Sequence, residues 1–275
     1  MAAITARNMY NVLVMSLAFA LIFTSNNTLQ SFVVALLGQL GSLQLGITYA
    51  SFAVSSVFVP ALMDRIGSAK YSMVLGALPY VGFCVALWSE IPALILIAAS
   101  LLGACAPLLW SGNGKMITAS SDSETVGRVG GAFWGIFSCN MISGNVLAFY
   151  SLPSSNDLSS TSGGGSSAAG VDSNFFGVMI GPVVLGTALL FFLRPPSVAS
   201  ASHPALSDAL ILQKPPPPTQ KMASVSSSVR AMLQLLFSKQ MVQLWPLSMY
   251  LAASVAMWGP IFVSTLLPSM FFDQH

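Results

Sequence analysis

The chain has 275 residues, 55% of them hydrophobic and 7% charged, with a net charge of +2. A water-facing surface needs roughly 25–35% charged residues, so most of this protein must have lipid as its solvent. The ten cations are spread singly, which gives nucleic-acid binding no support, and Cys84, Cys105 and Cys139 lie in apolar segments as small packing residues instead of a disulfide framework.

The first apolar stretch follows Arg7. Residues 9–23 have the look of a signal peptide, but no small-x-small cleavage pattern follows and apolar sequence resumes at 32–37, so residues 11–37 are predicted as the first span. Further spans are predicted over 43–63, 71–88, 92–111, 129–150 and 175–193, and another over 241–267. All must be helices, because a lipid-exposed backbone has to satisfy its own polar groups.

Charge placement orients the spans. Arg7 precedes the first, Arg65 and Lys70 lie between the second and third, and Lys115 and Arg128 between the fourth and fifth. Arg194, Lys214, Lys221, Arg230 and Lys239 follow the sixth, so every cation falls on one side of an alternating topology. The opposite loops hold 38–42, Glu90, Asp157 and Asp172 without a Lys or Arg, which predicts a cytosolic N-terminus. That orientation excludes a seven-helix receptor, whose N-terminus lies outside. A helix over 92–115 is ~36 Å long, enough for the Lys115 ammonium to reach the cytosolic surface.

Residues 151–173 are rich in Ser and Gly and read as a non-cytosolic loop, and 195–220, with prolines at 215–218, as a linker. Over 225–237, Val229, Met232, Leu233, Leu236 and Phe237 share a helical face, which fits either an amphipathic surface helix or an extension of the seventh span. Three parts follow: a six-helix bundle over 1–193, a cytosolic linker over 194–239, and a seventh helix with the terminus over 240–275. Six spans, a long linker and one more span is the beginning of a two-halved transporter fold, whose second half is here incomplete, by a shortened product or a fragment.

Several motifs bear on function. The turn between the second and third spans carries Asp64-Arg65-Ile66-Gly67-Ser68-Ala69-Lys70. Gly67 suits a tight turn, Asp64 can cap a helix or pair with a cation, and Arg65 and Lys70 suit an anionic leaflet. The first span holds Thr24, Ser25, Asn26, Asn27, Thr28, Gln30 and Ser31, with Asn26 and Gln30 four apart and Asn27 and Gln30 three apart. Amides at that depth face protein or a wet cavity, so Asn26, Asn27 and Gln30, with Asn140 and Asn145 of the fifth span, are candidates for a substrate cavity or for interhelical glue. The Asn26-Asn27-Thr28 acceptor pattern lies too deep in the span for glycosylation. Gly131 and Gly135, and Gly177 and Gly181, have the spacing of close helix packing.

The run Ser111-Gly112-Asn113-Gly114-Lys115 is not a phosphate-binding loop, because Leu109 stands where such a loop needs Gly and Met116 where it needs Ser or Thr. The histidines, His203 and His275, form no metal or catalytic constellation with other residues, so neither an enzyme nor a cofactor is expected.

The 64–70 turn resembles the signature loop of the major facilitator superfamily, and dispersed positions resemble the Unc-93-like family within it. These are Asn11-Val12-Leu13, Phe23 and 27–31 in the first span, 45–50 in the second, and Pro60, Gly67, Lys70, Tyr71, Met73, Gly76 and Tyr80 around the third. They continue through 102–104, 107–110 and Gly114 in the fourth and Gly131, Phe133, Ile136, Phe137, Gly144 and Asn145 in the fifth. Lys115-Met116 departs from the aromatic often found there in the family. The resemblance implies an all-α membrane protein: a major-facilitator-type six-helix N-terminal bundle plus the first helix of an incomplete C-terminal bundle. It also implies a regulator of potassium channels or an escort of membrane receptors, with the bilayer and another membrane protein as partners. The alternative is a transporter of a small polar or ionic solute.

Overall fold

A computed structural model of the protein describes residues 6–151 and 173–195, and residues 230, 234, 237, 238, 241–247, 249 and 250. Among the described residues all regular structure is helical. The helices are α1 (Ala6–Leu37), α2 (Gln39–Ser56), α3 (Val59–Ile66), α4 (Ala69–Ser89), α5 (Pro92–Ser120), α6 (Val126–Ser151) and α7 (Ser173–Leu190). Residues 152–172 of the predicted loop, 196–220 of the predicted linker, His203, His275 and most of the 225–237 and 241–267 helices lie outside the described residues. Residues 241–247 are helical, and Phe237 meets Trp245 with ring centroids 5.6 Å apart.

α1, α4, α5 and α6 are each long and apolar enough to cross a bilayer, and Phe175–Leu190 is apolar but shorter. The second predicted span is not continuous. It is α2 and α3, bent by 67° at a short break. Pro60 accounts for the break: it lacks an N–H, and its ring clashes with the carbonyl four residues earlier, at Ser56, where α2 ends. The expected 38–42 loop is likewise replaced by a near-continuous α1–α2 turn. Gly38 alone leaves the helical region, at φ 56°, and its N–H donates to the Val34 carbonyl at 2.9 Å.

α5 runs nine residues past the predicted 111 end, which puts the Gly112–Gly114 region on a helix of 29 residues, about 44 Å long. Between α5 and α6 the Asp122 carboxylate accepts bonds from the Thr125 N–H (2.8 Å), the Thr125 hydroxyl (2.7 Å) and the Glu124 N–H (3.1 Å). The Thr125 hydroxyl bond foremost holds this carboxyl below its usual pKa, and the carboxylate leads into α6 by satisfying the donors of the turn just before it.

α1 packs against α2, α6 and α7, while α5 packs against α4 and α2, and α4 also meets α7. The hydropathic stretch of α1 is 72% buried and that of α6 only 28%, so α1 runs through the protein and α6 along its outside. Phe19 and Phe23, one turn apart on α1, form the centre of an aromatic cluster with Trp110 of α5 and Phe133 and Phe137 of α6, at centroid distances of 5.1–6.5 Å.

Helix contact is closest where glycine faces a neighbouring backbone. A Cβ on Gly103 would strike the Thr48 carbonyl of α2, and one on Gly76 would stand 2.5 Å from the Leu109 nitrogen of α5. Those are not the glycines singled out by spacing. Among the described residues, Gly131, Gly135 and Gly181 have no neighbour within 4 Å of a Cβ position, and Gly177 has the Trp88 indole at 3.9 Å. Their spacing puts each pair on one face, but helix rotation turns Gly131 and Gly135 outward. Cys139 also faces outward, whereas Cys84 is buried.

Candidate functional site

The polar residues of α1 face more than one helix: the Ser25 hydroxyl donates to the Met179 carbonyl of α7 at 2.6 Å, and others turn toward α6 and α2. Toward α6, the Asn27 amide donates to the Asn140 side-chain oxygen at 2.9 Å, and Thr24 and Ser143 hydroxyls meet at 2.7 Å. The Asn140 amide in turn donates to the Phe137 carbonyl. These bonds join two apolar helices through groups that have few other partners at membrane depth. Toward α2, the Gln30 amide donates to the Asn26 oxygen at 3.4 Å, and the Tyr49 hydroxyl donates to the Gln30 oxygen at 3.2 Å.

Asn26, Asn27 and Gln30 line a cavity of about 130 Å³ between α1, α2, α4 and α5, with Thr48, Tyr49 and Phe52 of α2, Tyr80 of α4 and Trp110 of α5 among its walls. That is close to the roughly 150 Å³ that admits benzene in apolar interiors. Among the described residues no charged side chain lines it. Amides can give and accept hydrogen bonds while the rings supply flat apolar contact, so the chemistry suits a small neutral polar molecule. Asn140 bonds to Asn27 and does not line the cavity, while Asn145 lies apart on the exposed side of α6.

The aromatic lining was not legible as a site, because Tyr49, Tyr80 and Trp110 are separated in sequence and converge only through packing. Gln44 is a further polar residue of this region, four residues before Thr48 in a largely apolar span. It is fully buried, its amide donates to the Thr48 hydroxyl at 3.1 Å, and its side-chain oxygen has no partner among the described residues.

The residues of the 64–70 turn gather at the cation-bearing end. Gly67 ends α3 in the left-handed region, at φ 66°, where a side chain would be strained. Asp64 pairs with Lys115 at 3.8 Å, both side chains more than half exposed, so this ion pair contributes little to stability. The Lys70 ammonium donates to the Phe191 carbonyl at 2.6 Å beyond the end of α7. Arg65 stands in the last turn of α3. Among the described residues no group of three His, Cys, Asp or Glu side chains is arranged to hold a metal.

Several apolar spans packed around a buried α1, joined by polar contacts inside the bundle, define an all-α, multi-pass integral membrane protein. The model of one family, UNC-93, the ion channel regulatory protein UNC-93, matches residues 38–273, most of the chain, and the chain belongs to that family. It is 23% identical over 266 residues to the UNC93-like protein MFSD11 of Xenopus laevis, covering 94% of this chain and 58% of that protein. It is 29% identical over 194 residues to the UNC93-like protein 3 of Arabidopsis thaliana (67% and 40%) and 34% identical over 159 residues to the protein unc-93 homolog A of Bos taurus (51% and 34%). The chain thus spans about half the length of the curated relatives it matches. No solved structure matches it.

Proposed function

We propose that this chain is a non-enzymatic regulator of another integral membrane protein, an ion channel, which it contacts through the outer face of α6. The observation that carries this reading is the stripe Gly131, Gly135, Ser138, Ile142, Asn145 and Phe149, all exposed and spaced at three or four residues along one side of the helix. Glycine and serine let a second helix backbone approach, and Asn145, which makes no hydrogen bond to a described residue, needs a polar partner that lipid tails do not offer. The family's description as an ion channel regulatory protein supplies the partner class.

The double variant Gly131→Leu, Gly135→Leu tests it. Leucine fits in the open space at both positions, so folding survives while the docking face is blocked. In cells expressing one potassium channel at a time, the full-length chain is expected to change the current of at least one channel and to copurify with it, and the double variant to do neither at equal membrane yield. A panel of channels with currents indifferent to the chain would sink the reading, as would a double variant that acts like the parent.

A second reading, passage of a small polar solute in a major-facilitator-type arrangement, is favoured by the amide-lined cavity. Reconstituted full-length protein should then move a neutral polar solute into liposomes, and Asn26→Leu with Gln30→Leu should lower that flux about tenfold or more, as expected when a hydrogen-bonding subsite is lost. Flux equal to that of protein-free liposomes removes this reading.

We also propose that the N-terminus and the cation-bearing end are cytosolic, on the asymmetry of Lys and Arg between alternate loops. A tag placed before Arg7 is expected to resist protease in intact cells and to be cut once the plasma membrane is permeabilised. Cleavage in intact cells would reverse the topology.

A further inference from the structure

A cavity of about 440 Å³ opens at the cation-bearing end, lined by 67–71 at the start of α4, by Lys115, Met116 and Ala119 near the end of α5, and by 193–195 after α7. Three cations, Lys70, Lys115 and Arg194, come to it from three parts of the chain, and no acidic residue is among the described residues that line it. We propose that this cavity binds a phosphate group: the headgroup of an anionic phospholipid, or a soluble phosphate ester of the same chemistry.

Arg194 is held for the purpose. The Asn11 side chain clasps its backbone twice, the amide donating to the Arg194 carbonyl at 2.9 Å and the oxygen accepting from the Arg194 N–H at 3.0 Å. Its guanidinium lies over the Tyr10 ring, 4.8 Å from the centroid, and forms no ion pair with a described carboxylate. A guanidinium so placed keeps its paired donors for a planar or tetrahedral oxyanion.

Lys70 has given one of its three donors to the Phe191 carbonyl. Lys115 shares its charge with Asp64 across a solvent-exposed 3.8 Å gap, a weak tie that a phosphate can displace. The first-turn amides of α4 receive no side-chain cap from Ser68, and they add donors to the same wall. Between the charges, Tyr71, Met116 and Leu193 give the cavity an apolar side. A glycerol backbone with its first acyl carbons meets that combination, cations for the phosphate and apolar walls for the chain.

The test is thermal unfolding of the full-length protein in a neutral detergent, titrated with dioctanoyl phosphatidic acid, dioctanoyl phosphatidylcholine or glycerol 3-phosphate. The phosphatidic acid is expected to raise the midpoint saturably and the phosphatidylcholine to leave it unchanged. Lys115→Gln and Arg194→Gln should each weaken the apparent affinity about tenfold or more, the loss of one charge-assisted hydrogen bond, while Arg128→Gln, which removes a cation outside the cavity, should not. Arg194→Lys keeps the charge but not the fork, and its weaker binding would identify the site even where Arg194→Gln fails to fold.

Glycerol 3-phosphate that stabilises the protein and displaces the lipid would mark a soluble ligand, and failure to compete would mark the membrane lipid. The site is refuted by the absence of a saturable shift with both phosphate monoesters, by equal stabilisation from phosphatidylcholine, or by an Arg128→Gln loss as large as that of Arg194→Gln.

Discussion

Gly103→Leu is expected to separate α2 from α5 and to leave little folded protein in the membrane. The added Cβ meets the Thr48 carbonyl and stands 2.8 Å from the Ser51 side chain, so an entire turn of α2 has to retreat. Retreat also breaks the bond from the Ser55 hydroxyl to the Gly103 carbonyl, 3.3 Å in the parent. Inserting even small groups into a close-packed contact costs about 1–3 kcal/mol, and a clash with the backbone of a neighbouring helix belongs at or above the top of that range. Against a total stability on the order of 5–15 kcal/mol, that loss is large.

Gly131→Leu makes the same chemical change with no described residue within 4 Å to obstruct it, and it removes a helix-interior glycine worth roughly 1 kcal/mol against good helix formers. The midpoint of thermal unfolding in detergent should therefore fall sharply for the first variant and hold or rise for the second. Equal midpoints for Gly103→Leu and the parent would show that the α2–α5 approach is not a close backbone contact.

These two glycines also mark what the sequence could and could not disclose. Apolar length located the helices, because a bilayer demands about 20 residues whatever their packing. Proline punctuation was equally available: Pro92 sits in the first turn of α5, and Pro60 ends α2 four residues upstream, although the continuous 43–63 hydropathy concealed the bend. The rotation of each helix about its axis left no such trace. Gly103 has no glycine at a four-residue spacing and yet makes the closest contact, while Gly131 and Gly135 have the spacing and face outward. Composition says that a helix has a small face, and only the partner's position says where that face points.

The candidate site followed the same division. Asn26 and Gln30 were visible as a pair because one helix fixes their geometry. Asn27 and Asn140, 113 residues apart, meet through the packing of α1 on α6, and Tyr49, Tyr80 and Trp110 reach the cavity from three different helices. Sequence lists such residues without joining them.

Phe19→Ala should produce the other large loss. The side chain is fully buried on α1, with ring centroids 6.0 Å from Phe23, 5.5 Å from Trp110, 5.4 Å from Phe133 and 6.5 Å from Phe137. In a water-soluble protein such a truncation costs about 3–5 kcal/mol, part of it transfer to water and part the empty space left behind. Lipid tails are as apolar as the ring, so the transfer part shrinks here, but the void and the lost dispersion contacts remain. The expected cost is therefore nearer ~3 kcal/mol than 5, with Phe19→Leu losing less because it refills most of the space.

The consequence extends to the cavity. Phe23 and Trp110, two of its walls, rest on Phe19, and once that support is gone their rings can turn into the void. Phe149→Ala provides the contrast, since that ring is 70% exposed on α6 and its removal opens no interior space. Unfolding midpoints should rank parent and Phe149→Ala together, then Phe19→Leu, then Phe19→Ala. A Phe149→Ala loss as large as that of Phe19→Ala would place the stabilising aromatic contacts on the lipid-facing side and deny the α1–α5–α6 cluster its part in shaping the cavity.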